Sequence, residues 1–489
     1  MTLPLSVFEP SDGHGGSFRS SYVWLVAAAG ALGGLLFGYD WVVIGGAKPF
    51  YERYFQLNSP SLEGWAMSCA LIGCLVGAIS SGGLSQRFGR RPMLTLSAMV
   101  FTASSLGTGL AMHFAAFVVW RMIGGSAIGL ASGISPMYIA EISPAKLRGR
   151  LVSLNQLAIV FGILLAQVVN WLIAQPVPHG ATALEIILSW NGQWGWRWMF
   201  AVTAVPSGLF LVTTFLIPES PRWLASKGRD DQALRVLERL GGPAYAQQVM
   251  RDFRATSSAQ TQCSLFKELS SQGIAKILLL GVALAVLQQW CGINVIFNYA
   301  QEVFAAAGYQ ISDILFNIVV TGAVNLVFTF VALLTIDRYG RRVLLLTGVS
   351  VLVIIYAVLG TLYRLHLQGK PMLLLVLAAI GCYAMSLAPV TWVVIAEIFP
   401  NRIRSGAMSI AITALWTACF ILTYTFPLLN TALGAAGTFW TYAAVCLVGY
   451  IFLYFRLPET KGKTLEEIET NIRMGKLQEE RHEQAAQGT

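Results

Sequence analysis

The sequence predicts an all-α polytopic membrane protein with twelve transmembrane helices in two parallel six-helix repeats, with short cytoplasmic helices between and after them. Its composition, its long apolar runs and three motifs that each occur twice support this prediction. Of its 489 residues, 55% are hydrophobic and only 12% are charged, which is about half the charged share of a typical soluble domain. A soluble protein of this length would need more charge to cover its surface.

The apolar runs set the number of spans, because a helix needs about 18 or more apolar residues to cross a bilayer. Each backbone amide inside lipid must bond within its own helix, so these runs predict helices. We predict spans at 22–44, 64–84, 92–112, 115–136, 151–174, 197–217, 275–299, 314–336, 343–363, 372–396, 405–428 and 437–457.

The repeated motifs show that the chain consists of two similar halves. In sequence, the pairs are GGLSQRFGRR (82–91) with LLTIDRYGRR (333–342), AEISPAKLRGR (140–150) with AEIFPNRIRSG (396–406), and PESPRWL (218–224) with PETKGKTLEE (458–467). Six spans separate the copies, so both halves enter the membrane from the same side. Parallel repeats of this kind enclose a substrate site between the halves, near the membrane midplane.

The basic residues predict the orientation, since Lys and Arg are enriched in cytoplasmic loops. The basic residues behind the net charge of +9 lie mostly in the loops on one face of the membrane. This bias predicts that both termini are cytoplasmic, and it accounts for the positive charge without nucleic-acid binding. The segment DQALRVLERL (231–240) has helical periodicity, with Leu234, Leu237 and Leu240 as its apolar stripe, and predicts a surface helix between the halves. The predicted regions are a tail (1–21), a first bundle (22–217), a helical linker (218–274), a second bundle (275–457), and a C-terminal helix and tail (458–489).

The repeated arginines lie beside Glu141 and Glu397, where ion pairs could join helix ends in one conformation and break in another. Equally, the arginines could serve only to fix topology. The predicted cytoplasmic gating network comprises Arg87, Arg90, Arg91, Glu141, Arg148, Glu219, Arg222, Asp337, Arg338, Arg341, Arg342, Glu397, Arg404 and Glu459.

Asp40 is the conspicuous charge of the first span, in GGLLFGYDWVVIGG (33–46). A carboxylate in hydrocarbon costs at least about 2.5 kcal/mol. Arg121, in the antiparallel fourth span, should lie at a similar depth. An ion pair between Asp40 and Arg121 would offset much of the cost of burying either charge.

The motifs RFGRR, PESPRWL, QQWCGINVIFNYA and PETKGKTLEEIE together resemble the sugar porter family of the major facilitator superfamily, from about residue 25 to 470. The resemblance implies alternating access to a central sugar site, with no enzymatic activity, cofactor or metal. A sugar ring calls for amide donors and acceptors and an aromatic face. The positions that match the family's sugar contacts are Phe37, Gln156, Gln288, Gln289, Asn294, Asn325, Trp392 and Trp416. We expect Gly292 to loosen span seven so that Gln289 and Asn294 face one cavity.

The chain departs from the family pattern at several positions. Ile163 replaces a glutamine of the bacterial symporters, Asn298 replaces a tyrosine, and Leu415 replaces an amide residue, while Gln86 replaces a loop acid. With Ala388, the first three are the predicted specificity-modulating positions, and they leave the choice between a pentose and a hexose open.

In the resembled family, an aspartate at the position of Asp40 distinguishes proton-coupled symporters from facilitators. The resemblance therefore implies monosaccharide–proton symport, with Asp40 and Arg121 as the coupling pair, by a protein that functions as a monomer in the bacterial inner membrane. A uniporter in which the ion pair is static remains the alternative. A sugar sensor is a weaker one, since only about 30 residues follow the last span.

Overall fold

The computed structural model describes residues 20–144, 147–178, 180–258, 272–367, 369–399 and 404–458. Every regular element in these ranges is a helix, as the sequence predicts. The rest of this description concerns those residues only.

The first bundle contains eight helices by our numbering, because a short helix precedes its sixth span and that span is itself interrupted. They are α1 (Ser20–Tyr54), α2 (Pro60–Phe88), α3 (Arg90–Gly109), α4 (Phe114–Ile142), α5 (Arg148–Ile173), α6 (Ala183–Leu188), α7 (Trp196–Ala201) and α8 (Ala204–Leu216). A π-helical turn at Asn191–Gly195 leads into α7.

Two helices follow on the surface, α9 (Pro221–Ser226) and α10 (Asp230–Ser258), the latter kinked at Gly242. The predicted surface helix is therefore present, and Leu237 and Leu240 of its apolar stripe are buried.

The second bundle begins with a broken helix and ends with a very long one. Its elements are α11 (Gln272–Trp290), α12 (Ile293–Asn298), α13 (Ala300–Ala306), α14 (Ile311–Tyr339), α15 (Arg341–Arg364), α16 (Lys370–Met385), α17 (Leu387–Ile398) and α18 (Arg404–Arg456).

The predicted number of spans agrees with the structure. Ten helices of the described chain are long and apolar enough to cross a membrane. One of them, Gly406–Arg456, has 51 residues, enough for two spans of about 20 residues, and its backbone kinks at Gly434. The third predicted span is α3, with 20 residues, so the total is twelve.

The first helix extends beyond the predicted span. The apolar run ends near residue 44, but α1 continues to Tyr54. Lys48 and Glu52 lie on this extension and form an ion pair. Span six also begins earlier than predicted, at Asn191.

Two predicted spans of the second bundle are broken near their middle. Gly292 adopts a left-handed conformation (φ 86°) that separates α11 from α12, which confirms the expected loosening of span seven. Ser386 (φ −122°, ψ −88°) separates α16 from α17. Pro389, three residues later, lacks the N–H that would bond to the carbonyl of Met385, a signal that the predicted span did not take into account. These breaks place backbone carbonyls and side chains at the centre of the protein.

Glycines let the helices of the first bundle approach each other very closely. A Cβ atom at Gly73 or Gly77 of α2 would overlap a backbone carbonyl oxygen of α4, and one at Gly125 or Gly129 of α4 would overlap a carbonyl oxygen of α2. Such reciprocal contacts are typical of tightly packed membrane helices. We call this contact the α2–α4 glycine seam.

A second seam joins α1 to α5 in the same way. A Cβ atom at Gly38 would overlap the carbonyl oxygen of Ile159, and one at Gly162 would overlap that of Leu35. In the second bundle, by contrast, Gly281, Gly348 and Gly449 face side chains of neighbouring helices.

Candidate functional site

The structure brings Asp40 and Arg121 together in the interior of the first bundle. Arg121 Nη1 donates to Asp40 Oδ1 at 2.5 Å, and both residues are at most 7% exposed. The guanidinium also lies over the ring of Phe200, 5.4 Å from its centroid. An ion pair compensates each buried charge, so the loss of charge on Asp40 would leave Arg121 buried without its counter-ion.

Asp40 borders two cavities, one on each side of the ion pair. The first is also lined by Phe37, Trp41 and Asn298, and so lies between α1 and the second bundle. The other is lined by Ser104, Ser105, Thr108 and Thr203 of the first bundle. The carboxyl group of Asp40 borders both cavities, so its charge can respond to what occupies the first cavity.

Three aromatic rings from both bundles meet beside the first cavity. The ring centroids of Phe37 and Trp41 are 5.6 and 6.2 Å from that of Trp416, and 5.8 Å from each other. Distances of this size are typical of favourable aromatic pairs. The group offers an apolar surface of the kind on which a sugar ring can stack.

The amides of the broken span seven form a connected group. Asn294 Nδ2 donates to Gln289 Oε1, and Gln289 Nε2 lies 3.5 Å from Gln288 Oε1. Gln288 Nε2 donates to the carbonyl oxygens of Leu387 and Ala388, at 3.3 and 3.2 Å. Leu387 and Ala388 are the first residues of α17, so the two broken helices meet at this amide group.

The other predicted sugar contacts are in the interior but outside this group. Asn325 is 4% exposed on α14, Trp392 packs against the core from α17, and Gln156 is partly buried on α5. Of the predicted specificity positions, Ile163 and Leu415 are buried. Asn298 lines the first cavity, and its Oδ1 has no hydrogen-bond partner.

The bundles have two distinct ends, which we call the arginine-rich end, at Arg90 and Arg341, and the opposite end. At the opposite end, Lys48 of α1 forms ion pairs with Glu52 (2.7 Å), Glu63 of α2 (3.8 Å) and Glu302 of α13. We call these four residues the Lys48 cluster. Because Glu302 belongs to the second bundle, the cluster joins the two halves.

Lys48 is only 1% exposed, and its ammonium also lies 5.3 Å from the centroid of the Tyr299 ring. One buried cation is thus surrounded by three carboxylates and an aromatic ring. Lys48 was assigned no role in the sequence analysis. The spacing of Lys48 and Glu52, four residues apart on a helix, was the available signal.

At the arginine-rich end of the first bundle, the predicted gating residues form a compact network. Arg90 donates to both oxygens of Glu141, each at 2.9 Å, and Ser220 also donates to Glu141, at 2.5 Å. Glu219 accepts from the backbone N–H groups of Arg90 and Arg91. Burial raises the pKa of Glu219 above its usual value, and these N–H groups oppose the rise.

The second bundle has a similar arrangement. Arg341 donates to Glu397 at 3.1 Å, Arg342 donates to the carbonyl oxygen of Tyr454 at 2.8 Å, and Arg338 lies against the ring of Tyr339.

The remaining predicted gating residues do not join a described network. Arg87, Arg148 and Arg222 are exposed. Glu459 and the side chains of Asp337 and Arg404 lie outside the described residues.

The two ends therefore differ in what their ion pairs connect. At the arginine-rich end, the ion pairs of the described residues, Arg90–Glu141 and Arg341–Glu397, each stay within one bundle. At the opposite end, the Lys48–Glu302 pair joins the bundles. The described residues thus join the two bundles by an ion pair at the opposite end.

Comparisons with known proteins give a consistent result. Residues 26–472 match the family described as "Sugar (and other) transporter". The D-xylose-proton symporter of Escherichia coli is 37% identical over 92% of this chain and 96% of its own length. The arabinose-proton symporter of Bacillus subtilis is 36% identical over 93% and 96%.

Solved structures of the E. coli xylose transporter are similar as well. A partially occluded inward-open conformation has a TM-score of 0.80 at 35% identity, covering 91% of this chain and 100% of that one. A complex with 6-bromo-6-deoxy-D-glucose has a TM-score of 0.75 at 36% identity, covering 93% and 99%.

Proposed function

The chain belongs to the sugar transporter family, and from this premise we propose that it is a monosaccharide–proton symporter that works by alternating access. The buried Asp40–Arg121 ion pair beside the central cavity carries this proposal. The symporters for xylose, arabinose and galactose among its relatives support it. It is a multi-pass membrane protein, and we propose the bacterial inner membrane as its location, a monomer as its active form, and cytoplasmic termini.

The proposed orientation places the arginine-rich end in the cytoplasm and the opposite end outside. Under this orientation the Lys48 cluster closes the outer end, so the structure represents an inward-facing state. Higher TM-scores to inward-open structures of the xylose transporter than to its sugar-bound complex support this assignment.

The proposed coupling follows from the electrostatics of the ion pair. A proton that reaches Asp40 from outside neutralises it and releases Arg121, and sugar bound against the aromatic group and the span-seven amides stabilises the closed centre. When the passage opens inward, the proton leaves to the less acidic cytoplasm. A carboxylate then forms again and restores the pair with Arg121, which favours the return of the empty protein.

The proposed sugar contacts are the residues predicted from sequence, and the domain boundaries are those given above. Asn298 adds a polar group to the cavity, whereas Ile163 and Leu415 present apolar side chains. These differences bear on which sugar is carried, so a panel of D-xylose, D-glucose, D-galactose and L-arabinose is the appropriate probe.

The test is uptake of radiolabelled sugar into proteoliposomes, with an inward proton gradient imposed or collapsed. We expect the gradient to drive accumulation above equilibrium in the parent protein, and Asp40→Asn to retain only sugar exchange. Asp313→Asn, which neutralises an exposed acid of α14, is the matched control and should accumulate sugar normally. Uptake that only equilibrates and ignores the gradient would instead identify a uniporter.

A further inference from the structure

Gln167, on α5, is a buried amide that the proposed sugar site does not include. It is 1% exposed, and neither its Nε2 nor its Oε1 has a hydrogen-bond partner. A buried amide without partners costs on the order of 1–3 kcal/mol. A side chain with two such atoms is therefore a candidate for binding something in another state of the protein.

The surroundings of Gln167 place it at the junction of the two bundles. Its Oε1 lies against Gly322 of α14, where a Cβ atom would overlap it. Because α5 belongs to the first bundle and α14 to the second, this amide becomes accessible when the outer ends of the bundles separate.

A second amide extends the same polar face towards the outer end. Asn170 is 2% exposed, and its Nδ2 donates to the carbonyl oxygen of Val43 at 2.9 Å, whereas its Oδ1 has no partner. Asn170 lies over Gly46 of α1, as Gln167 lies over Gly322. Glycines on both facing helices thus provide the space for this pair of amides.

The face of α5 that carries these amides continues to the proposed central site. At 100° per residue, Gln156, Ile163, Gln167 and Asn170 fall within a sector of about 60°. Gln167 is about 16 Å along the helix axis from Gln156, and Gly322 is one turn from Asn325 on α14. The amides therefore lie on the route between the outside and the central site.

We propose that Gln167 and Asn170 form an entry subsite that binds hydroxyl groups of the sugar in the outward-open state. A sugar hydroxyl both donates and accepts, so it can satisfy Gln167 Nε2, Gln167 Oε1 and Asn170 Oδ1. This inference rests on the proposed function, because it presumes that a monosaccharide passes between the bundles.

The first experiment compares Gln167→Leu with the parent protein in proton-driven uptake. The variant removes the amide but keeps a similar shape, so we expect thermal stability to be unchanged or higher, and KM to rise about fivefold to tenfold. A lower stability with an unchanged KM would overturn the subsite. Gln248→Leu, at an exposed position of α10, is the control and should leave KM unchanged.

A series of monodeoxy sugars identifies the hydroxyl that Gln167 binds. For one analogue, we expect the parent protein and Gln167→Leu to have the same KM, because the bond is already lost. If the variant instead raises KM by one common factor for every analogue, Gln167 acts only on the structure and the proposal is wrong.

Gly322→Ala tests the same pair from the other helix. Its new methyl group overlaps the Gln167 amide only while the outer ends are closed, so it should shift the parent protein towards the outward-open state and have little effect in a Gln167→Ala background. An equal effect in both backgrounds would contradict the pairing. A parent protein that transports no sugar would refute the proposed function, whereas normal transport with unaltered Gln167→Leu kinetics would refute only the subsite.

Discussion

Replacing Lys48 by methionine should open the outer end of the passage. Lys48 is the only cation of its cluster, and its ion pair with Glu302 is the part that joins the two bundles. The bonds to Glu52 and Glu63 lie within the first bundle and can persist when the bundles separate. Only the interactions of Glu302 therefore change between the two conformations.

The size of the expected shift between outward-closed and outward-open protein follows from the distances between the three carboxylates. Carboxylate oxygens of Glu52, Glu63 and Glu302 lie within 4.8 Å of one another. At an effective dielectric constant of 20, two charges at that distance repel by about 3 kcal/mol. Without Lys48, Glu302 is repelled by both other carboxylates and loses its partner. A net shift of about 3 kcal/mol, after partial screening, corresponds to roughly 100-fold in the ratio of outward-open to outward-closed protein.

Spin labels at Ser61 of α2 and Ala432 of α18, both exposed, would report the separation of the outer ends by double electron–electron resonance. We expect Lys48→Met and Glu302→Gln to populate a longer distance. Lys370→Met, which removes an exposed lysine from the same end, should leave the distribution unchanged.

Two further conditions sharpen the test of the Lys48 cluster. A Lys48→Glu, Glu302→Lys double variant should restore part of the short distance, and acidification should reduce the shift by neutralising the carboxylates. Distance distributions identical to the parent protein in both single variants would refute the role of Lys48 as an outer lock.

Three further predictions follow from the buried contacts. Arg121→Met leaves the carboxylate of Asp40 buried without a counter-ion, so the free energy of unfolding should fall by about 3–5 kcal/mol. Adding Asp40→Asn should recover most of that loss in a thermal unfolding assay. Gly38→Ala should sharply reduce folded protein on size-exclusion chromatography, because its Cβ atom would overlap a carbonyl of α5, whereas Gly83→Ala, which faces open space, should not. Gly292→Ala places a side chain at φ 86°, a strain of roughly 1–3 kcal/mol, and should weaken sugar binding measured by tryptophan fluorescence.

The helices and the central ion pair were predictable because their signals are strong and local. Long apolar runs give spans directly, and a lone intramembrane acid such as Asp40 calls for a basic partner at similar depth. Arg121 met that condition. The break at Gly292 was also readable, since glycine is the residue that adopts left-handed backbone at little cost.

Features that depend on tertiary contacts could not be predicted from the sequence. Lys48 looked like the polar end of a span, because its distant partner Glu302 lies 254 residues further along the chain. Trp41 was overlooked beside Asp40, although it follows Phe37 by one turn and shares the contact with Trp416. The break at Ser386 was also missed, although Pro389 three residues later was an available signal.

The role of Gln167 is a further feature that could not be predicted from the sequence. Its sequence context is an ordinary apolar helix, and only the packing of α5 against α14 shows that its amide lacks partners. A sequence pattern can reveal that a polar residue is in a membrane span, but not whether its hydrogen bonds are made.

The two glycine seams determine which helices can move relative to each other during transport. Backbones in direct contact cannot slide or tilt without collision, so α2 with α4, and α1 with α5, should each behave mechanically as one block. Within the second bundle, the described glycines of the broken helices face side chains and not backbone. Amide hydrogen exchange should therefore be slow and insensitive to sugar along the seams, and sugar-dependent around the two breaks. Side chains such as Ile163 can then change substrate choice without altering the stiffness that the seams give the first bundle.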